Sequence, residues 1–500
     1  MKNIITKLAI GVVLALLIQS CSGFLDTAPS HATSSETALL TLRDANLAVN
    51  GIYDGLKRTD LYGAPMTLLG DNRGDDLQPR NNSVGGWNEL YAFRYTSENL
   101  NNWGIWTRCY NSIMKANAIL EAWEALPAIS TADIATKNDI KGQALALRAL
   151  CHFDVVRSYG YPYLKDNGAS LGAVIVDKTL TPKEAEEMQR SSVAETYQFI
   201  LNDLQTALPL LFKPTTLAQA TAAPNPQAEI PGRIGKLNYW GAKMLQARAY
   251  LYMGQWENAY NAAREVINES PYTLATNAGY LNSLQTQGAS ETIFELIVGA
   301  GIEDMDSNNN YSGLYAYIWH ADNGRGVLIP TRDWLDLMAE DPEDVRGSII
   351  ATNGHDGTTW IRKFPGIGRL YFHNPRVFRL AEAYMIAAEA ALASNRQAEA
   401  NSYLDAIRKR ANPNNPTITC TLDEILKERR KEFIGEGHRF FDMMRLGKTV
   451  TRSGGFHFAH LVYTECPVSI DWNYYKVVLP ISRSARLIHT LLEQNPGYSD

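Results

Sequence analysis

An excess of positive charge is missing from this chain: 47 Lys and Arg stand against 53 Asp and Glu, a net charge of −6. That balance argues against nucleic acid as a partner, because its binders present a basic face. Long apolar runs are missing too. Beyond residue 20 no stretch supplies the roughly 20 apolar residues that a membrane-crossing helix needs. Cysteine is sparse, five scattered through 500 residues, which excludes a disulfide framework. What remains, 45% hydrophobic and 20% charged, is a chain able to bury one large core or two. Its 25 tyrosines and 10 tryptophans serve two ends, filling cores or stacking on flat ligands.

The N-terminus decides the compartment. Lys2 and Lys7 precede an apolar run from Leu8 to Ile18, too short to cross a bilayer but suited to a secretory signal. The run ends in Ile18-Gln19-Ser20-Cys21, and a Cys directly after a small residue is what lipoprotein processing requires. Residues 1–20 are therefore expected to be a lipoprotein signal peptide and Cys21 the site of lipid attachment. Loss of Lys2 and Lys7 takes the net charge from −6 to −8. Acyl chains contribute ~0.8 kcal/mol per buried methylene, so two or three of them anchor a protein firmly without spanning the membrane.

Helical periodicity organises the middle and end of the chain. Ile234, Leu237, Trp240, Met244, Ala247 and Leu251 recur at three- and four-residue spacing. Gly254 breaks the pattern, and Ala259, Ala263, Val266 and Ile267 resume it before Pro271. This glycine turn, followed by Trp256 and closed by a proline, resembles the second half of a tetratricopeptide repeat. A second copy runs through Val377, Leu380, Tyr384, Ala387 and Ala391, then Asn395-Arg396-Gln397, then Ala400, Leu404 and Ile407, with Asn395 in place of the glycine. Further helices are expected at 36–56, 102–126, 133–159 and 191–211. Cys109 and Cys151 fall on apolar stripes and read as buried thiols, while a Cys420–Cys466 bridge stays open. Trp123, Trp240 and Trp256 also lie on stripes and read as core.

Between the helices lie 60–101, 160–190, 212–231 and 272–375, rich in Gly, Asn, Asp, Tyr and Pro. Long irregular stretches in a compact protein usually carry function. Short β-like pieces stand at 173–176, 292–298 and 476–479. Farther on, Thr421 and Glu424 form a capping box that opens a helix buried through Leu422, Ile425, Leu426 and Phe433. The charges that follow, Glu428, Arg429, Arg430, Glu432, Glu436, Arg439, Asp442 and Arg445, balance in sign. They predict an ion-paired network tying packed helices together, not a catalytic centre.

The run Glu428-Arg429-Arg430-Lys431-Glu432-Phe433-Ile434-Gly435-Glu436-Gly437-His438-Arg439-Phe440-Phe441-Asp442-Met443-Met444-Arg445 resembles the hallmark segment of the SusD/RagB nutrient-binding lipoproteins. The helix from Arg379 to Ala390, Leu479-Pro480-Ile481, Gln494-Asn495-Pro496-Gly497-Tyr498, and Cys21-Ser22-Gly23-Phe24-Leu25-Asp26 with Pro29 are similar to that family as well. The resemblance implies a mainly α fold of tetratricopeptide-like helical pairs supporting an irregular, loop-rich ligand-binding half with a few short strands. It implies one domain over 21–500, with an N-terminal part of about 21–230 and a C-terminal part of about 231–500. It also implies a lipid-anchored place on the outer membrane, facing the exterior. The implied partner is a SusC-like TonB-dependent outer-membrane transporter that such a protein covers as a lid.

Catalytic and metal motifs are present only in part. Gly168-Ala169-Ser170-Leu171-Gly172 fits G-x-S-x-G, but a nucleophile elbow needs a strand before the serine and a helix after it, the reverse of the order here. Asp304, Asp306 and Asn308 begin like a calcium loop, yet Asn309 stands where glycine is needed and Tyr315 where the bidentate glutamate belongs. An irregular structural calcium at Asp304 and Asp306 is the sole metal expectation, and no other cofactor is called for. His457, His460 and Cys466 lack the further ligands of a zinc site.

An oligosaccharide demands a flat aromatic for its C–H face, with amides, carboxylates or guanidinium groups for its hydroxyls. Loop tryptophans are thus the first candidates. Trp87 stands near Arg80, Asn81 and Asn88; Trp319 follows Tyr315 and precedes His320; Trp360 follows His355-Asp356-Gly357; Asp71 and Arg73 lie in a glycine-bounded polar run. For each of these rings, packing beneath its own loop weighs as much as ligand contact. The rival function class is a peptide-binding or assembly adaptor, since helical repeats present concave surfaces to peptides. No reading of the sequence favours an enzyme.

Overall fold

Helix starts are written into the sequence as reciprocal caps. The Thr41, Ser130 and Ser192 hydroxyls each accept from the backbone N–H three residues on, and Asp44, Asp133 and Glu195 accept from the cap's own N–H. The computed structural model describes residues 39–80, 86–99, 104–223, 233–298, 318, 326–365, 373–452 and 466–499. Its principal helices are α1 (Leu42–Lys57), α2 (Pro65–Asn72), α3 (Ile105–Ala122), α4 (Thr131–Tyr159), α5 (Val193–Ala207), α6 (Tyr239–Tyr252), α7 (Trp256–Glu269), α8 (Leu380–Ala393), α9 (Gln397–Ala411), α10 (Leu422–Phe433) and α11 (Arg439–Arg445). Cys21 and the rest of 1–38 lie outside the described residues, as do Asn81, Asp304, Asp306, Tyr315, Trp319 and His320.

The helices stack in pairs. α1 packs on α3, α3 on α4, α4 on α5, α5 on α6, α6 on α7, α7 on α8 and α8 on α9. Alanines populate these packed helices: Ala259 and Ala263 on α7, and Ala383, Ala387 and Ala390 on α8, are fully buried. The two repeat turns use the same backbone conformation, left-handed at Gly254 (φ 69°) and at Asn395 (φ 58°). Asparagine tolerates that region better than most residues, which explains its standing in for glycine.

The strands are short and pair antiparallel. β1 (Leu77–Pro79) pairs with β3 (Leu328–Pro330), β2 (Thr292–Glu295) with β6 (Arg376–Arg379), β4 (Ile350–Thr352) with β5 (Thr359–Ile361), and β7 (Val450–Thr451) with β8 (Ser469–Ile470). Val377, expected on a helix, is in β6; the ladder with β2 claims it, and α8 begins only at Leu380.

Two β-like pieces are not strands. Segment 173–176 lies extended on α3 and α4 with its backbone satisfied by side chains. The Tyr110 hydroxyl donates to Val174 O (3.1 Å) and accepts from Val174 N (2.9 Å), Asn117 Nδ2 donates to Val176 O (3.1 Å), and Thr196 Oγ1 accepts from Ala173 N (3.1 Å). Segment 476–479 is pinned likewise: Arg73 donates to Val477 O (3.0 Å), the Tyr498 hydroxyl to Val478 O (2.7 Å), and Leu479 N to Ser158 O (2.8 Å). Side chains take most of these hydrogen bonds in place of a neighbouring strand, and Tyr475–Val477 forms a 3-10 turn. Cys109, Cys151, Cys420 and Cys466 are all buried thiols, and Cys420 and Cys466 form no bridge with each other. Trp240 is core at 1% exposure; Trp256 is half-buried, and Trp123 lies under the ammonium groups of Lys141 (3.8 Å) and Lys137 (4.6 Å).

Candidate functional site

The polar run 70–76 belongs to the frame. Asp71 is 1% exposed and Arg73 fully buried, which corrects the expectation that they contact ligand. The cause is close backbone docking of α2 against the turn between α10 and α11. A Cβ on Gly70 would lie 2.1 Å from Gly437 O, so two glycines let the chains touch. Asp71 then accepts from Gly437 N (2.6 Å), while Arg73 lies 4.2 Å over the Phe440 ring and donates to Val477 O. Burial pushes the Asp71 carboxyl well above the usual carboxylate range.

Around this junction the hallmark charges form the expected network, almost wholly out of water. Glu432, 0% exposed, meets Arg410 at 2.6 Å, Arg379 at 3.0 Å and Arg346 at 3.7 Å. Arg429 holds Asp442 (2.6 Å), Arg430 holds Asp76 (2.6 Å), Arg439 holds Asp75 (2.7 Å) and Arg445 holds Glu389 (2.5 Å). Burial opposes charge on Glu432, but the guanidinium groups of Arg410, Arg379 and Arg346 more than offset it and hold the carboxyl below its ordinary value. α10 is thereby tied to α9 and α11, α11 to α8, and both α10 and α11 to Asp75 and Asp76 just after α2.

The Ser170 motif is a turn. Asn167 (φ 55°) and Gly168 (φ 77°) are left-handed, the Ser170 hydroxyl bonds to Asp166, and an extended segment follows where an elbow would need a helix. Among the described residues no group of three His, Cys, Asp or Glu side chains is placed to hold a metal ion, and no helix is long and apolar enough to cross a membrane.

The remaining candidates gather beside two β-ribbons. Arg80 follows β1, its N–H donates to Val327 O (2.8 Å) ahead of β3, and its guanidinium pairs with Asp356 (2.9 Å) in the turn joining β4 to β5. Trp360 stands on β5, which packs against β3. Trp87 and Asn88 open a short helix (Trp87–Tyr91) whose first carbonyl accepts from Asn72 Nδ2 (2.9 Å). Arg80 and Asp356 keep 26% and 41% of their side-chain surface in solvent, whereas the Trp87 and Trp360 rings are each 4% exposed. The two rings therefore pack beneath this face in the described structure, a correction to their reading as exposed stacking platforms; the surrounding apolar side chains offer more contact than water does. At the end of that short helix the Tyr91 carbonyl accepts from Arg452 Nη1 (2.6 Å), and Tyr91 packs with Cys466. Arg80 and Asp356 are brought together at the surface, while Asn88 is half-buried on the short helix packed against β1. The Arg80–Asp356 pair, 276 positions apart, carried no local sequence signal.

One concavity lies apart from the ribbon face and was not expected from the sequence. An apolar cleft of about 280 Å³ opens between α3 and the 174–188 segment, lined by Trp106, Tyr110 and Met114 on one side and Val174, Leu180 and Met188 on the other. Trp106, Tyr110 and Met114 repeat every four residues, a stripe that was legible beside the core stripe of Cys109 and Ile113.

Known proteins agree with this architecture. Residues 24–227 match the family profile described as "Starch-binding associating with outer membrane", and residues 350–498 match the SusD family. A crystal structure of a SusD superfamily protein from Bacteroides vulgatus shares 33% identity and superposes with a TM-score of 0.80, covering 92% of this chain and all of that one. SusD-like protein P25 of Formosa agariphila is 24% identical over 89% of this chain and 90% of its own. A laminarin-binding SusD-like protein, 20% identical, shares the fold at a TM-score of 0.70 over 91% of this chain and 99% of that one. A helical frame with buried hallmark charges, matched at both ends and along its length, makes this chain a member of the SusD/RagB family.

Proposed function

We propose that this protein is a lipid-anchored oligosaccharide-binding protein of the outer membrane, facing the cell exterior, that captures glycan and delivers it to a SusC-like TonB-dependent transporter without transforming it. The match of residues 24–227 to a family of starch-binding, outer-membrane-associated proteins carries the reading. The laminarin-binding relative supports the ligand class through a shared fold. The guanidinium of Arg80 and the carboxylate of Asp356, partly in solvent beside the ribbons, and the amide of Asn88 are of the kinds that bond sugar hydroxyls, which supports this reading. Trp319, Tyr315, His320 and Asn81 complete the proposed set from outside the described residues, and Cys21 carries the anchor.

Calorimetry of the mature chain against a panel of glycans and peptides tests this. Saccharide heat supports capture, peptide heat alone supports the adaptor reading, and substrate loss over hours points to an enzyme. Co-purification of an outer-membrane barrel with the lipidated protein tests delivery.

A further inference from the structure

We infer that the cleft between α3 and the 174–188 segment is filled by the protein's own N-terminal tail, with Phe24 and Leu25 as the inserted side chains. The cleft is apolar and half-open, and at about 280 Å³ it is roughly twice the ~150 Å³ cavity that takes one benzene ring. It has room for a ring and a branched aliphatic chain together. Between Ser22 and Ala38 the tail reads SGFLDTAPSHATSSETA, in which Phe24 and Leu25 are the sole large apolar residues. A chain otherwise so polar has one adjacent pair able to gain by leaving water.

The tail is placed to reach. α1 runs antiparallel to α3: Gly51 O accepts from Lys115 Nζ (2.9 Å), and Gly104 N donates to Asp60 O (2.8 Å). The start of α1 therefore lies at the Ala122 end of α3. From there to Trp106 is ~24 Å at 1.5 Å per residue. The thirteen residues from Asp26 to Ala38 span up to ~43 Å when extended. The mouth suits the residue that follows the pair. His489 lines it, donating Nδ1–H to Ala185 O (2.8 Å), and Arg486 donates to the carbonyl of Leu492, another lining residue. Asp26 would meet positive or proton-donating groups there. The family profile also reaches back to residue 24, ahead of α1, so the shared domain includes this tail and not the helices alone. Leu487, Ile488 and Leu491, 71%, 61% and 46% exposed, extend the apolar surface beside the mouth. Docking needs neither glycan nor transporter. Its consequence is mechanical, since a lipid on Cys21 would then hold the folded body three residues from its docking point.

The tether gives the tail an effective concentration on the order of mM, so an intrinsic affinity of ~0.1 mM keeps the cleft about nine-tenths filled. The test uses the chain from residue 21 with Cys21→Ser, and the same chain with Phe24→Glu and Leu25→Glu. Binding of 1-anilinonaphthalene-8-sulfonate is expected to rise several-fold in the charged-tail variant and to fall again on adding a synthetic Ser22–Ser30 peptide. Met188→Glu should abolish that rise. In a separate Leu25→Cys, Met188→Cys chain, mild oxidation should give an intrachain cross-link, read by mass spectrometry. Equal dye binding with and without the charged tail overturns the proposal. So does a Leu25–Met188 link found between molecules, which would assign the cleft to a second copy. Displacement of the dye by saccharide with the tail indifferent overturns it as well.

Discussion

The hallmark helix and the ribbon face treat charge in opposite ways. From Glu428 to Arg445 every ionic side chain keeps less than a fifth of its surface in solvent and Glu432 sits among three guanidinium groups; at the ribbons Arg80 and Asp356 pair while staying partly in water. Buried pairs cost desolvation and are strongly destabilising to break, so they fix geometry. Exposed pairs contribute little and exchange partners readily, so they suit a surface that trades water for sugar hydroxyls.

Breaking the frame should have the largest effect. Glu432→Gln leaves Arg346, Arg379 and Arg410 crowded without their carboxylate, and is expected to cost about 3–5 kcal/mol in chemical denaturation. Trp87→Ala removes a buried ring and should cost a similar ~3–5 kcal/mol, an effect on folding that a purely ligand-facing residue would not show.

Acid should weaken the frame next. Burial pushes His152 down to about 4 from its ordinary 6.5. The unfolded chain therefore binds this proton first, and the stability His152 contributes is full above pH 6.5 and is lost as pH falls toward 4, up to ~3 kcal/mol. Comparing the pH slope of unfolding with that of His152→Gln isolates this share; equal slopes between pH 6.5 and 4 would refute it.

At the ribbon side, Trp319→Ala is expected to weaken glycan binding by ~1–3 kcal/mol with the unfolding midpoint unchanged, by calorimetry and thermal melting. Smallest of all, Asp356→Asn should change stability by about 0–1 kcal/mol and less so at high salt, while altering glycan affinity. A large loss of stability there would erase the contrast between the two regions.

Much of the frame was legible because helices announce themselves locally. Capping pairs, three- and four-residue apolar spacing and the Gly254 and Asn395 turns are all short-range. The sign balance of 428–445 likewise foretold a network. The partners did not show, since Arg346, Glu389, Asp75 and Asp76 come from distant parts of the chain. The same blindness misassigned Asp71 and Arg73: a glycine-bounded polar run reads as a loop until Gly70 is seen against Gly437. Segment 173–176 has a strand's composition, but the Tyr110 and Asn117 side chains took its hydrogen bonds.

By itself the sequence determined which residues form helices, where those helices start and turn, and which family the chain joins, because each depends on neighbours within a few positions or on a contiguous motif. Tertiary structure alone decided which polar residues would be buried as ties and which left at a surface. It also decided which rings would pack inward and where the apolar cleft opens. Burial is a property of what other segments arrive, and no stretch of chain carries that information alone.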